Sequence, residues 1–144
     1  MLSALVERDG GLVDFPGLVR DNHQTIRAAL HAGADIVIVP GGSSVGIEDV
    51  APIIVAESGQ LAVHGIAMRP SSPTGLGRIG YRLVFLLPGN PVSCLCAYDF
   101  FAGRAIRALG GLLGGANPPG YALQPRNHNP MAAFRALVSF RMKP

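Results

Sequence analysis

Tryptophan is absent from the 144 residues, cysteine occurs twice, and charged side chains make up only 15% of the chain. No run of five or more like charges appears, so the net charge of +3 offers mild steering for anions and no nucleic-acid footprint. No apolar stretch reaches the roughly 18 residues that a membrane-crossing helix needs. No secretory leader pattern is visible either, and together these set the expectation of a cytoplasmic chain without a membrane partner. Cys94 and Cys96 stand two apart in a helical pattern, which points them to different faces. They are expected as reduced core thiols rather than a bridge or a metal pair. His23, His31 and His128 show no metal-ligand spacing, and His64 falls in a strand pattern as a packed or edge histidine. A G-x-S-x-G elbow and a Walker loop ending in G-K-[ST] are both missing, which removes serine hydrolysis and that class of nucleotide binding. No internal repeat is visible.

What is present is apolar and punctuated: 49% hydrophobic residues, 19 glycines and 12 prolines. A chain of this length forms one domain and buries roughly two-thirds of the surface it exposes when unfolded. The opening MLSALVERDGG shows no clear period, and Gly11 to Phe15 reads as a short strand. DNHQTIRAALHAG predicts a helix at about 22 to 32, with Asp21 or Asn22 as N-cap and Gly33 as stop. ADIVIVP is a continuous β-branched run, the pattern of a strand buried on both faces of a parallel sheet. EDVAPIIVAESG predicts a helix with Pro52 in its first turn, LAVHGIAM a strand, and RPSSPTGLG a loop whose prolines and glycines leave no room for regular pairing. Arg82 to Leu87 reads as a third strand, and the segment from Pro91 to Gly110 as a long helix. Beyond Gly110 the text becomes an irregular Gly/Pro-rich tail with a weak strand candidate at Phe134 to Arg141. The alternation predicts an α/β fold: an open, mostly parallel sheet in three layers, with helices on both faces, over residues 1–110.

The stretch from Gly41 to Asp49, GGSSVGIED, carries the first chemistry. A glycine-rich turn between a buried strand and a helix start offers free amides to a phosphate or oxyanion through Gly41, Gly42, Ser43, Ser44 and Gly46. The same glycines also serve a tight turn for conformational reasons alone. Glu48 and Asp49 sit badly beside a bare anion nest. Either they favour the helix dipole while facing solvent, or one of them holds a hard cation such as Mg²⁺ that bridges to the anion. Asp21 is a second candidate carboxylate on the same sheet edge, with plain N-capping as its other role. Arg69 and the hydroxyls of Ser71 and Ser72 can contact an anion, and Pro88, Gly89, Asn90 and Pro91 make a stiff turn able to wall a pocket. Each of these loops follows the end of a predicted strand.

GGSSVGIED, AMRPSSPTGLG and LPGNPVS, in this order and spacing, resemble the molybdopterin-binding domain of the molybdopterin molybdenumtransferases, the group that includes the E domain of gephyrin. The resemblance runs from about Asp21 to Gly110. It implies binding of adenylylated molybdopterin, insertion of molybdate and release of AMP, assisted by Mg²⁺. By position, Asp49 matches the acid that closes the glycine loop and Asp21 the acid before the first helix, both linked in the family to metal and molybdate chemistry. Arg69 takes the place of a basic group expected to neutralise molybdate. Gly41, Gly42, Ser44 and Gly46 match the pterin-phosphate loop, and Pro88 and Pro91 the two prolines that border the family's active site. A pterin substrate, a molybdopterin adenylyltransferase as partner, and self-association are the implied company.

The chain also departs from the family. Arg69-Pro70-Ser71-Ser72-Pro73 stands where members usually show K-P-G-K-P, so one basic group is kept as arginine and the other is lost. The family's leading strand with its T-G-D-E motif, its other N-terminal domains and its C-terminal barrel find no counterpart. Loss of a strand near the middle of a doubly wound sheet predicts an oligomer or marginal stability, unless Gly11 to Phe15 or another subunit fills the gap. Three readings follow: a transferase; a binding or scaffold module that has lost transfer; and the related adenylyltransferase that activates molybdopterin with ATP, against which the R-P-S-S-P and L-P-G-N-P pair argues.

Overall fold

The computed structural model describes residues 1–20, 22–41, 50–110, 135–138 and 140–142. Its centre is set by β3 (Ile36–Pro40), in which all five residues are buried, as the unbroken apolar run predicts. Alternate side chains go to opposite faces. Ile36 and Ile38 join one core with Phe85, Leu87, Cys94, Ala97, Tyr98, Ala102 and Ile106. Val37 and Val39 join the other with Ile26, Leu30, Ile54, Val55, Val84 and Leu86. Helices therefore cover both faces of one sheet, the three-layer arrangement expected.

The first face is covered by α1 (Leu2–Arg8), α4 (Pro91–Ala97) and α5 (Gly103–Leu109), the last two joined by a π-helical turn, Tyr98–Ala102. The sequence pattern marked the opening as aperiodic, yet Leu2, Leu5 and Val6 stand at i, i+3 and i+4, and Leu2 and Val6 are buried. The second face is covered by α2 (His23–Leu30) and α3 (Val50–Ser58). Asn22 caps α2 by accepting the Thr25 amide at 2.9 Å.

The remaining strands are β1 (Leu12–Asp14), β2 (Leu18–Arg20), β4 (Gln60–His64), β5 (Gly75–Ile79), β6 (Arg82–Leu87), β7 (Arg135–Val138) and β8 (Phe140–Met142). The main sheet has the order β1-β7-β3-β6-β5-β4, and β2 pairs with β8 in a small parallel extension. Pairing is parallel from β1 to β6 and antiparallel at β5 and β4.

Two differences from the sequence reading matter. The glycines of RPSSPTGLG were read as a loop, but Gly75–Ile79 is a strand. A Cβ on Gly77 would come within 2.7 Å of both the Gln60 carbonyl oxygen and Val55 Cγ1, so the glycine permits close pairing rather than forbidding it. β7 falls inside the strand candidate at Phe134 to Arg141, but it runs between β1 and β3, a central place that the reading of this segment as an irregular tail did not give it. Residues 111–134 of that segment lie outside the described residues.

An ionic cluster ties α1 to the helices that follow β6. Asp9, only 3% exposed, accepts the Tyr98 hydroxyl at 2.9 Å and pairs with Arg107 Nη1 at 2.9 Å and Arg8 Nη2 at 3.0 Å. Burial, and then the adjacent Asp9 charge, raise the Tyr98 pKa, while the hydrogen bond to Asp9 leads the causes that raise Arg8.

Both cysteines are free thiols, Cys94 buried and Cys96 half-buried. Burial pushes the Cys94 thiol from 9.0 up to about 11. A raised acid pKa means the unfolded chain loses its proton first, so this contribution is whole below pH 9 and fades as pH rises toward 11. Urea titrations between those pH values are expected to show stability falling as pH rises, with the slope reduced in Cys94→Ala. An equal slope in both proteins would remove Cys94 as its source.

Candidate functional site

β3 and β6 run side by side in the same direction and finish together, Pro40 opposite Leu87. The chain then turns out through Gly41, at φ +81°, a backbone conformation that glycine adopts without strain. Its amide donates to the Leu87 carbonyl at 2.9 Å, fixing the first residue of the glycine loop to the end of the neighbouring strand. Across from it stands Gly89, where an added Cβ would lie 3.5 Å from Gly41 Cα. The loops after β3 and β6 are thus in backbone contact.

The 65–74 loop reaches the same edge because β4 and β5 are antiparallel and His64 pairs with Gly75, itself opposite Leu86 of β6. Its own hydrogen bonds close it: Gly65 amide to Thr74 carbonyl, 3.0 Å; Ile66 amide to Ser72 carbonyl, 2.7 Å; Thr74 hydroxyl to Ser71 carbonyl, 2.8 Å. Arg69 and Ser72 are exposed at its tip, while Ser71 is buried at 3% exposure. Ser71 has φ +110°, a conformation that costs a non-glycine residue about 1–3 kcal/mol. Its hydroxyl donates to the Ser93 carbonyl at 2.7 Å, in the first turn of α4.

Pro88 is buried, and Gly89, Asn90 and Pro91 are exposed. Asn90 caps α4: its side-chain oxygen accepts the Val92 and Ser93 amides at 3.1 and 3.2 Å. Pro91 occupies the first turn, where its missing N–H costs nothing.

The structure therefore brings together Gly41, Arg69, Ser71, Ser72, Pro88, Gly89, Asn90 and Pro91 at the carboxyl edge of one sheet. Asp21, Gly42, Ser43, Ser44, Gly46 and Asp49 lie outside the described residues. The described chain flanks them, since β2 ends at Arg20 and α3 begins at Val50. Sequence reasoning placed the loops but missed what ties two of them together, because a serine in R-P-S-S-P carries no sign that its backbone takes a glycine-like conformation. Among the described residues no group of three His, Cys, Asp or Glu could hold a metal ion, and no helix is long and apolar enough to cross a membrane.

An open α/β sheet with three loops gathered at its carboxyl edge is the ligand-binding arrangement of that class. The sequence pattern described as "Probable molybdopterin binding domain" matches residues 1–108, and the chain belongs to that family. It is 38% identical over 125 residues to a molybdopterin molybdenumtransferase of Nostoc, an alignment covering 81% of this chain and 28% of the relative. A molybdopterin biosynthesis protein of Methanocaldococcus jannaschii is 32% identical over 107 residues, covering 72% and 27%. Among solved structures, a molybdopterin biosynthesis protein from Pyrococcus horikosii superposes with a TM-score of 0.65 at 32% identity, over 74% of this chain and 27% of that one. A Mycobacterium abscessus structure at 23% identity and TM-score 0.58 shares the fold. The chain spans a little over a quarter of the length of the curated relatives it matches.

Proposed function

We propose that this sheet edge binds adenylylated molybdopterin in molybdenum cofactor biosynthesis, and that the site supports insertion of molybdate with release of AMP. The observation that carries the reading is the convergence of three loops: Gly41 bonded to Leu87, Gly89 against Gly41, and Ser71 bonded to Ser93. Gly41, its own amide bonded to Leu87, opens the glycine loop whose Gly42 to Gly46 amides would receive the phosphate; Arg69, exposed on its loop, neutralises the incoming oxyanion; Pro88 to Pro91 form a stiff wall. Ser72 adds a hydroxyl at the same tip.

Asp49 and Asp21 are the carboxylates that would hold Mg²⁺. Two carboxylates suit that ion by their chemistry, since Mg²⁺ takes few protein carboxylates and keeps several waters beside phosphate oxygens. When bound, the ion supplies charge neutralisation at the phosphoanhydride. Asp49→Asn is expected to lower turnover about a hundredfold or more while leaving the melting temperature within a few degrees of the parent. A fully active variant would remove Asp49 from the site.

A second reading, a binding or scaffold module without transfer, draws support from exposed Ser72, which stands where the resembled family usually shows a second basic group. The deciding experiment is a thermal melt with Mg²⁺, with and without adenylylated molybdopterin, followed by an AMP assay on addition of molybdate. A raised melt with AMP released supports the transferase, and a raised melt without AMP supports the module. Pyrophosphate release from ATP and molybdopterin would instead mark an adenylyltransferase. An unmoved melt overturns pterin binding at this edge.

A further inference from the structure

We propose that Ser71 is a positioning residue that latches the Arg69 loop onto α4 and thereby sets Arg69 for the anionic end of the ligand; the role of Arg69 rests on the function proposed above, whereas the latch does not. Three observations meet at this residue. Its side chain is buried beneath a loop whose neighbours Arg69, Pro70 and Ser72 are exposed. Its hydroxyl spans 22 residues of sequence to reach the Ser93 carbonyl, joining the Arg69 loop to the first turn of α4, directly after the Pro88–Pro91 turn. Its carbonyl accepts both the amide and the hydroxyl of Thr74, itself fully buried, so the backbone that presents Arg69 is held from both sides.

The positive φ sharpens the inference. Glycine at this place would relieve backbone strain, so a serine here brings a conformational cost that the hydroxyl bond offsets. Thr74 ties the loop to itself, and Ser71 ties it to the wall of the site. Without the latch, Arg69 keeps its charge but not its place, and the ligand must order the loop when it binds.

The test uses the full chain with Ser71→Ala and Ser71→Gly. Hydrogen exchange across 65–74 is expected to quicken about fivefold in both variants and to be unchanged over 75–87. Equal rates in all three proteins, or a rise throughout the sheet, overturns the latch. Ligand affinity is read in parallel: the dissociation constant for adenylylated molybdopterin should rise about five- to tenfold in Ser71→Ala and change less than twofold when Arg69 is already alanine. A loss of the same size in both backgrounds overturns the link to Arg69. Ser71→Gly should bind as loosely as Ser71→Ala while melting no lower than it, a split that a purely structural role does not produce. A parent chain that binds no pterin ligand overturns the proposed function and the Arg69 link with it, and the exchange rates alone then decide the latch.

Discussion

A chain ended at Gly110 is expected to show no cooperative thermal or urea transition, whereas the full chain melts as a unit. The reason lies in where β7 sits. Residues 135–138 run between β1 and β3, parallel to both, with Val13 and Ile36 on either side of Ala136. Removing them separates β1 from the sheet and leaves β3 with one partner, β6, although every residue of β3 is buried. The freed amides and carbonyls of β3 would face apolar cover instead of water, and each buried unpaired group costs about 1–3 kcal/mol. A few such losses consume the 5–15 kcal/mol that holds a typical domain together. Leu137→Pro in the full chain makes the same point by a single change, since it deletes a central ladder donor; its urea midpoint should fall by the equivalent of 3 kcal/mol or more. A truncated chain that melts cooperatively at the parent temperature would show that β7 is an ornament of the sheet.

This central position explains why the sheet was only partly legible in the sequence. The unbroken run Ile36–Pro40 identifies a doubly covered strand because its pattern is local, and Arg82–Leu87 and the Pro91 helix start were equally plain. No local pattern says that a short strand near residue 135 belongs between strands at 12 and 36; its pairs are separated by about a hundred residues. Gly11 to Phe15 was one expected filler for a gap in the middle of the sheet, but its strand β1 lies at the edge and β7, from the chain's far end, runs between it and β3. β5 failed for a different reason. Glycine was weighed as a breaker, while at Gly77 the deciding fact is the nearness of Gln60 and Val55, which only the packed structure supplies.

The site divides in the same way. Its loops were legible because proline, glycine and serine declare turns, and three such turns after predicted strands imply one edge. The contacts that hold those turns were not legible. Ser71 was read as an anion contact, yet its hydroxyl is engaged with Ser93, and Asn90 caps α4 through its side-chain oxygen. Both residues act at this edge through backbone they fix in place, whereas Arg69 and Ser72 are exposed there.

Replacing Asp9 with alanine is expected to destabilise the full chain by about 3–5 kcal/mol, the range for breaking a buried ion pair from one side. The carboxylate is 3% exposed and has three partners; its loss strands the Tyr98 hydroxyl, which is fully buried, and leaves Arg107 directed at a cavity. Arg8 matters less because 44% of its side chain is exposed, and Arg8→Ala should cost no more than about 1 kcal/mol. Tyr98→Phe should cost about 1–2 kcal/mol, and in that background Asp9→Ala should lose less than it does alone, since phenylalanine needs no acceptor. Urea denaturation of the three single variants and the double variant measures all of these; an Asp9→Ala midpoint within 1 kcal/mol of the parent would mean that the cluster relaxes into water. The cluster fastens α1 to the helices after β6 and, among the described residues, its bonds involve none in the site's loops, so folded Asp9→Ala protein should retain the parent affinity for adenylylated molybdopterin. Ser71→Gly should do the reverse, keeping the fold and loosening the ligand, because one side chain secures the sheet's cover and the other secures the edge where the proposed chemistry takes place.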